Sequence, residues 1–312
     1  MDFPGDLLNS KVDESELEKV QPLPPPPLSL APNSEVKRAL QFLKSAKNPL
    51  VIVGKGAAYS QAEANVQALI EQTGFPFLPT AMGKGVISDE NPHCVSAARS
   101  LALQKADVIL LLGARLNWML HFGRPPRFSP DVKIIQVDVE PEEFHSSVST
   151  HVPLLGDVNS ITGQLVQEAK EVNLQFSKNA PWWDALDAKK DQNRQMVSAF
   201  IADQSIPLNY YAVLSTVQNM IPKDSMIVNE GANTMDIGRT VLLNRLPRHR
   251  LDAGTYGTMG VGLGYAIAAA LHCKNQGQGK RVINVQGDSA FGFGAMEIET
   301  AFRYKLPIIT VM

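Results

Sequence analysis

An aspartate that follows a glycine at the end of an apolar run is well placed to hold a hard cation. The stretch Val282-Ile283-Asn284-Val285-Gln286-Gly287-Asp288-Ser289-Ala290-Phe291 has that form. Its first half reads as a buried strand. Gly287 permits a tight turn and close backbone approach. Asp288 then projects an oxygen ligand from the strand's carboxyl end. Magnesium favours such oxygens and is commonly shared with phosphate groups. Free N–H groups near Ser289 and Ala290 can face the same phosphates. The plainer role for Asp288 is to cap its own turn.

Two further stretches have chemical potential. One is Arg250-Leu251-Asp252-Ala253-Gly254-Thr255-Tyr256-Gly257-Thr258-Met259-Gly260-Val261-Gly262-Leu263-Gly264-Tyr265-Ala266. Met259, set among glycines, is either core filler or a flexible thioether filling an irregular gap beside a ligand. The other stretch contains Asn229-Glu230-Gly231-Ala232-Asn233-Thr234. A helix starting there would offer the N–H groups of Ala232, Asn233 and Thr234 to an anion. Alternatively, Asn233 simply caps that helix.

Nearer the N-terminus, four motifs each end an apolar run: Gly54-Lys55-Gly56, Gly113-Ala114-Arg115-Leu116-Asn117-Trp118, Gln136-Val137-Asp138-Val139 and Gly156-Asp157-Val158. Lys55 and Arg115 suit phosphates, arginine in a bidentate manner. Asp138 can accept hydrogen bonds from a ribose or an adenine. The alternative is a vestigial nucleotide fold with solvated charges. Gly54-Lys55-Gly56 is not a Walker A loop, and the chain has no GxGxxG.

The elements that must position these residues alternate. Strands are predicted at residues 49–53, 75–79, 107–112, 132–137 and 152–155, with helices at 35–46, 60–73, 97–105 and from about 156 to 170. Asn33 or Ser34 would cap the first helix. A second block follows, with strands at 225–228, 282–285 and 307–312 and helices at 209–220, 234–243, 265–271 and 296–304. Gly287-Asp288 is expected to open a loop. This alternation implies an α/β protein of two doubly wound parallel-sheet domains. Ligands in such sheets sit at the carboxyl ends of the strands. The expected division is a linker with a proline-rich stretch over 1–32, a nucleotide-binding domain over 33–171, a polar connection over 172–190 and a second domain over 191–312.

These residues carry a resemblance. Gly287-Asp288-Ser289, followed by Glu297, Thr300 and an apolar strand, resembles the cofactor motif of thiamine diphosphate (ThDP) enzymes. The longer run to Gly292-Phe293, with Arg303-Tyr304 and Leu306-Pro307, resembles the 2-hydroxyacyl-CoA lyase and oxalyl-CoA decarboxylase group. The resemblance implies a Rossmann-like middle domain and a ThDP diphosphate-binding domain. It gives Asp288 a Mg²⁺ ion, and it gives Gly287, Ser289, Ala290, Ala232, Asn233 and Thr234 to the cofactor's diphosphate. By the same resemblance the Gly257 carbonyl accepts from the aminopyrimidine, and Met259 is the wedge that bends the cofactor. Lys55, Arg115, Asp138, Val139, Asp157 and Val158 would line an ADP or coenzyme A site.

The group's catalytic glutamate lies in an N-terminal domain, and its Asn-Asn pair follows the next strand. Neither is in this sequence, so no catalytic residue is expected here. The second domain reads as incomplete at its C-terminus, and the chain alone is expected to be inactive. The implied whole enzyme is a homo-oligomer, dimer or tetramer, that cleaves a 2-hydroxyacyl-CoA to formyl-CoA and an aldehyde. Oxalyl-CoA decarboxylation and a non-catalytic nucleotide-binding fragment are the alternatives. Resembling lyases are peroxisomal, although Thr310-Val311-Met312 is no peroxisomal address.

Composition excludes other classes. Of 312 residues, 44% are hydrophobic and 19% charged, which suits substantial cores. A net charge of −2 points to neither nucleic acid nor an anionic membrane. Cys94 and Cys273 form no metal or redox pattern. The uncharged run 253–273 is glycine-rich in its first half and reads as a loop and buried helix, not a bilayer span. An acetolactate-synthase-like enzyme would carry FAD in the middle domain. A nicotinamide dehydrogenase would need the absent GxGxxG.

Overall fold

The computed structural model describes residues 2–277 and 279–312. Residues 2–30 are exposed and include a short helix α1 (Gly5–Leu8). The first domain then begins with α2 (Asn33–Ser45). Short runs of Val, Ile and Leu favour strands buried on both faces. Here they form β1 (Pro49–Val53), β2 (Phe77–Pro79), β3 (Val108–Leu112), β4 (Lys133–Asp138) and β5 (Val152–Leu155). All pairings are parallel, in the order β2-β1-β3-β4-β5. The helices between them are α3 (Lys55–Tyr59), α4 (Glu63–Thr73) and α5 (Arg99–Lys105), and α6 (Val158–Glu171) follows β5.

Alternate strand residues point to opposite faces. Val51, Val53, Leu110 and Leu112 therefore pack with residues of α2, α4 and α6. Leu50, Ile52, Ile109 and Leu111 form a second core, closed by Trp182, Trp183 and Leu186. Those three belong to α7 (Pro181–Ala202). The expected polar connection is thus largely helical. It contributes one wall of the first domain and runs unbroken past residue 190. Most of its charged residues face water, Lys190 excepted, while its two tryptophans are buried, a pattern that reads as polar when averaged over the segment.

Two other differences have local causes. The predicted helix over 60–73 is α4, which starts only at Glu63; an unforeseen α3 precedes it, and Gln61 with a left-handed φ of 55° separates the two. At α2 the cap position is Pro32, so neither Asn33 nor Ser34 caps it. Asn33 Oδ1 instead accepts from Gln164 Nε2 at 3.1 Å.

The second domain opens with α8 (Tyr210–Met220), whose Asn209 side chain caps it by accepting from Ala212 N. Its sheet has β6 (Met226–Glu230), β7 (Arg250–Asp252), β8 (Val282–Gln286) and β9 (Ile308–Val311), parallel and ordered β7-β6-β8-β9. The remaining helices are α9 (Ala232–Val241), α10 (Gly262–Asn275), α11 (Asp288–Gly294) and α12 (Glu297–Arg303). Gly287-Asp288 therefore opens a helix where a loop was expected. β7 was not foreseen because Arg250 and Asp252 flank its single apolar residue. Among the described residues no helix is long and apolar enough to cross a membrane.

The two domains meet through polar groups. Lys84 and Asp89 of the first form a nearly fully buried ion pair at 2.7 Å. Asp89 Oδ2 also accepts from Asn244 N of the second at 2.8 Å. Arg245 donates two hydrogen bonds of 2.8 Å to Glu90. Near the site, Trp118 Nε1 donates to Thr255 O at 2.6 Å.

Candidate functional site

In a doubly wound sheet, the crevice lies where successive connections leave toward opposite sides. In the second sheet that point falls between β6 and β8, which are neighbours with β7 and β9 outside them. The turns after β6 and β8 are those holding Ala232–Thr234 and Gly287–Ala290. Gly231, at φ 108°, joins β6 to α9, and a Cβ added there would sit 3.2 Å from Gly287 N. The two turns therefore approach closely at these glycines, with the Thr234 side chain against both.

α9 has no side-chain cap, so the first-turn N–H groups from Ala232 to Thr234 have no partner within the helix. Asn233 is the second residue of the helix and is exposed, so it does not cap. Thr234 is buried beneath Gly287, whose added Cβ would lie 3.3 Å from Thr234 Oγ1. Asp288 is the exposed first residue of α11, beside exposed Ser289. The Ala290 side chain is buried, so only its main chain can face a ligand. Among the described residues no three His, Cys, Asp or Glu side chains gather as a metal cluster. A cation at Asp288 would thus need most of its oxygens from a ligand or water. A diphosphate held by the uncapped start of α9 would supply them, so the donor set fits Mg²⁺ shared with phosphate.

The loop after β7 lies against the same place. Gly257 is exposed with φ 60°, and Met259 is 38% exposed. A Cβ on Gly260 would meet Phe293 Cβ of α11 at 3.2 Å. Glu230, fully buried at the end of β6, fastens this loop. Its Oε1 accepts from Gly260 N and, at 3.3 Å, from Val261 N. Its Oε2 accepts from Gly262 N at 2.7 Å and from Gln286 Nε2 at 2.5 Å. Sequence reasoning passed over Glu230, although an acid closing an apolar strand just before a glycine was a usable signal.

Arg250 was also given no role, and it anchors the far side of β6. Its Nη2 donates to Asn229 Oδ1 at 2.9 Å, and its Nε lies 3.5 Å from Asp252 Oδ2. Complete burial pushes the Arg250 pKa down, and Asp252 opposes that shift.

In the first sheet the corresponding point lies between β1 and β3. Gly113, at φ 58°, leaves no room there: its added Cβ would lie 2.6 Å from Gly56 Cα. Lys55 follows β1 and lies over the Tyr59 ring at 5.8 Å. Arg115 follows β3 and pairs with Glu143 at 3.1 Å, on a groove that also includes Asn117, Ser147 and Thr255 of the second domain. Asp138 ends β4 and accepts from Glu140 N at 3.1 Å, with exposed Val139 beside it. Asp157 follows β5 and caps α6 by accepting from Ser160 N at 2.7 Å. The Val158 side chain is buried in the core, so only its backbone can line a site. The topology sets these residues along one edge of the sheet. Arg115 and Asp157 already have protein partners.

The fold and both crevices define a class. Residues 36–165 match the family model described as the thiamine pyrophosphate enzyme central domain. Residues 230–312 match that of the thiamine pyrophosphate enzyme C-terminal TPP binding domain. The chain belongs to the thiamine pyrophosphate enzymes and carries these two domains.

Among its relatives, the chain is 52% identical to 2-hydroxyacyl-CoA lyase 1 of Homo sapiens, over all of this chain and 54% of the relative. It is 42% identical to 2-hydroxyacyl-CoA lyase of Arabidopsis thaliana, over all of this chain and 55% of that protein. It is 41% identical to oxalyl-CoA decarboxylase of Escherichia coli K12, again over all of this chain and 55% of the relative. The chain thus spans about half the length of these relatives.

Proposed function

We propose that the chain is the cofactor-binding part of a ThDP- and Mg²⁺-dependent carbon–carbon lyase that cleaves a 2-hydroxyacyl-CoA to formyl-CoA and an aldehyde. The observation that carries this reading is the crevice between β6 and β8. There the turn that opens into Asp288 approaches the uncapped start of α9 through Gly231 and Gly287, with Thr234 packed against both glycines. The higher identity to the human lyase than to the bacterial decarboxylase supports the lyase reaction.

When bound, ThDP supplies a nucleophilic carbon and an electron sink. The chain's own residues bind and orient it. The N–H groups of Ala232, Asn233 and Thr234 hold diphosphate oxygens, with Gly287, Ser289 and Ala290 on the opposite wall. Asp288 takes the metal. The Gly257 carbonyl holds the amino group of the pyrimidine, and Met259 fills the space between the two rings. In the first domain Lys55, Arg115, Asp138, Val139, Asp157 and Val158 hold ADP or the ADP part of coenzyme A, which orients the thioester. The whole enzyme is a peroxisomal homo-oligomer in this reading.

The test is turnover by the intact protein with ThDP and Mg²⁺, followed by mass spectrometry. A 2-hydroxyacyl-CoA should yield formyl-CoA and an aldehyde. Release of CO₂ from oxalyl-CoA without aldehyde formation would reassign the reaction to the decarboxylase. Failure on both substrates, with no ThDP bound, would leave a nucleotide-binding protein only.

A further inference from the structure

One buried side chain reaches every wall of the proposed cofactor crevice. Glu230 is the last residue of β6, directly before Gly231 and the start of α9. Gln286, which donates to Glu230 Oε2 at 2.5 Å, is the last residue of β8, directly before Gly287 and Asp288. The other three donors to Glu230 are successive main-chain N–H groups of Gly260, Val261 and Gly262, immediately after Met259. Gly262 has no room for a side chain, because an added Cβ would overlap both Glu230 and Gln286. Glu230 and Gln286 are both buried.

We infer that Glu230 is a positioning residue that holds the loop bearing Gly257 and Met259 in register with the two turns that face the diphosphate. The inference rests on the ThDP reading above and adds a role for a residue that touches neither metal nor cofactor in it. A carboxylate suits this place because it is acceptor-only, and all four groups aimed at it are donors. An amide in its position turns a donor toward at least one of them. The consequence falls on one half of the ligand. The turns after β6 and β8 are set by their own strand pairing, Glu230 with Gln286 among the partners. The loop after β7 is fastened to them by Glu230, so loosening it affects the ring-facing part and spares the diphosphate-facing part.

The test compares two ligands of the intact protein by calorimetry, ThDP with Mg²⁺ and inorganic pyrophosphate with Mg²⁺. In Glu230→Gln, ThDP affinity should fall by about tenfold to a hundredfold, because buried donors lose an acceptor. Pyrophosphate affinity should stay within about threefold. Amide hydrogen exchange at Gly260, Val261 and Gly262 should quicken without ligand. The double variant Glu230→Gln with Gln286→Glu returns a carboxylate to the same cluster and should recover most of the ThDP affinity.

Equal loss of both ligands, or no loss of either, would overturn the role. If Glu230→Gln does not fold, Gly262→Ala presses on the same cluster from the loop side and should show the same split. Wild-type protein that binds pyrophosphate but not ThDP would sink the cofactor reading itself, and the role of Glu230 with it.

Discussion

At the scale of single residues, the proposed site separates exposed groups free to meet a ligand from buried groups that hold the fold. Asp288 is exposed at the start of a helix and is available to a cation. Asp288→Asn should therefore leave thermal stability nearly unchanged, within about 0.5 kcal/mol as for surface changes. It should weaken Mg²⁺-dependent ThDP binding by at least about tenfold, roughly one lost charge-assisted contact. Calorimetry with and without Mg²⁺, beside a melting curve, separates the two effects.

His249 belongs to the second kind. Its Nδ1 lies 2.7 Å from Pro247 O, and its Nε2 lies 2.9 Å from Lys280 Nζ. The neutral ring with its proton on Nδ1 satisfies both contacts. Burial, above all, depresses its pKa from the ordinary 6.5; nearby Lys280 and Arg248 act in the same direction, while the Pro247 carbonyl and Asp224 oppose them. The unfolded ring binds a proton more readily than the folded one. Its contribution is thus complete above the unfolded value and is lost as pH falls below it toward the folded value. Urea midpoints measured from pH 7.5 down to 5.5 should drop more steeply for the wild type than for His249→Gln. Equal slopes would show that His93, His121 and His151, shifted the same way, account for the whole effect.

At the scale of elements, stability depends on which helix belongs to which sheet. α7 begins the passage between the domains, yet its first turns close the first sheet. Trp182 Nε1 donates to Pro49 O of β1 at 3.0 Å, and the ring is buried against that core. Trp182→Ala should cost about 3–5 kcal/mol of first-domain stability, as expected for a large buried aromatic. Denaturation followed by fluorescence should show the transition of that domain at lower denaturant than in the wild type.

Much of the element pattern was legible from apolar runs. The strands at 49–53 and 152–155 match those expected. α7 was missed because Asp184, Asp187 and Asp191, all exposed, are interspersed with its few buried residues. β7 was missed because its partners, not its own residues, make it a strand.

At the scale of the whole molecule, the two crevices are related by a polar seam. Lys84 and Asp89 are both buried there, and Asp89 also takes the Asn244 N–H. Removing one member of a buried pair leaves the other charged and unpaired, which typically costs about 3–5 kcal/mol. Asp89→Ala should therefore uncouple the domains. Chemical denaturation should resolve into two transitions where the wild type shows fewer, and hydrogen exchange should rise at residues 84–90 and 244–246. A single transition with an unchanged midpoint would show that the seam does not bind the domains. The Trp118–Thr255 contact joins the groove around Arg115 to the loop before Gly257.

By itself the sequence determined the periodicity of two parallel α/β sheets and the glycine and acid motifs at their strand ends. Those features depend on neighbours within a few residues, and apolar runs and tight turns are written locally. Which turns face one another was decided only by the tertiary structure, since strand order is set by packing between distant segments. That order places Gly231 against Gly287, buries Glu230 among donors from the loop after β7 and from the end of β8, and commits Asp157 to a helix cap. A buried carboxylate is recognisable as a tie only once the groups that donate to it are assembled, and those groups lie up to 56 residues apart in the chain.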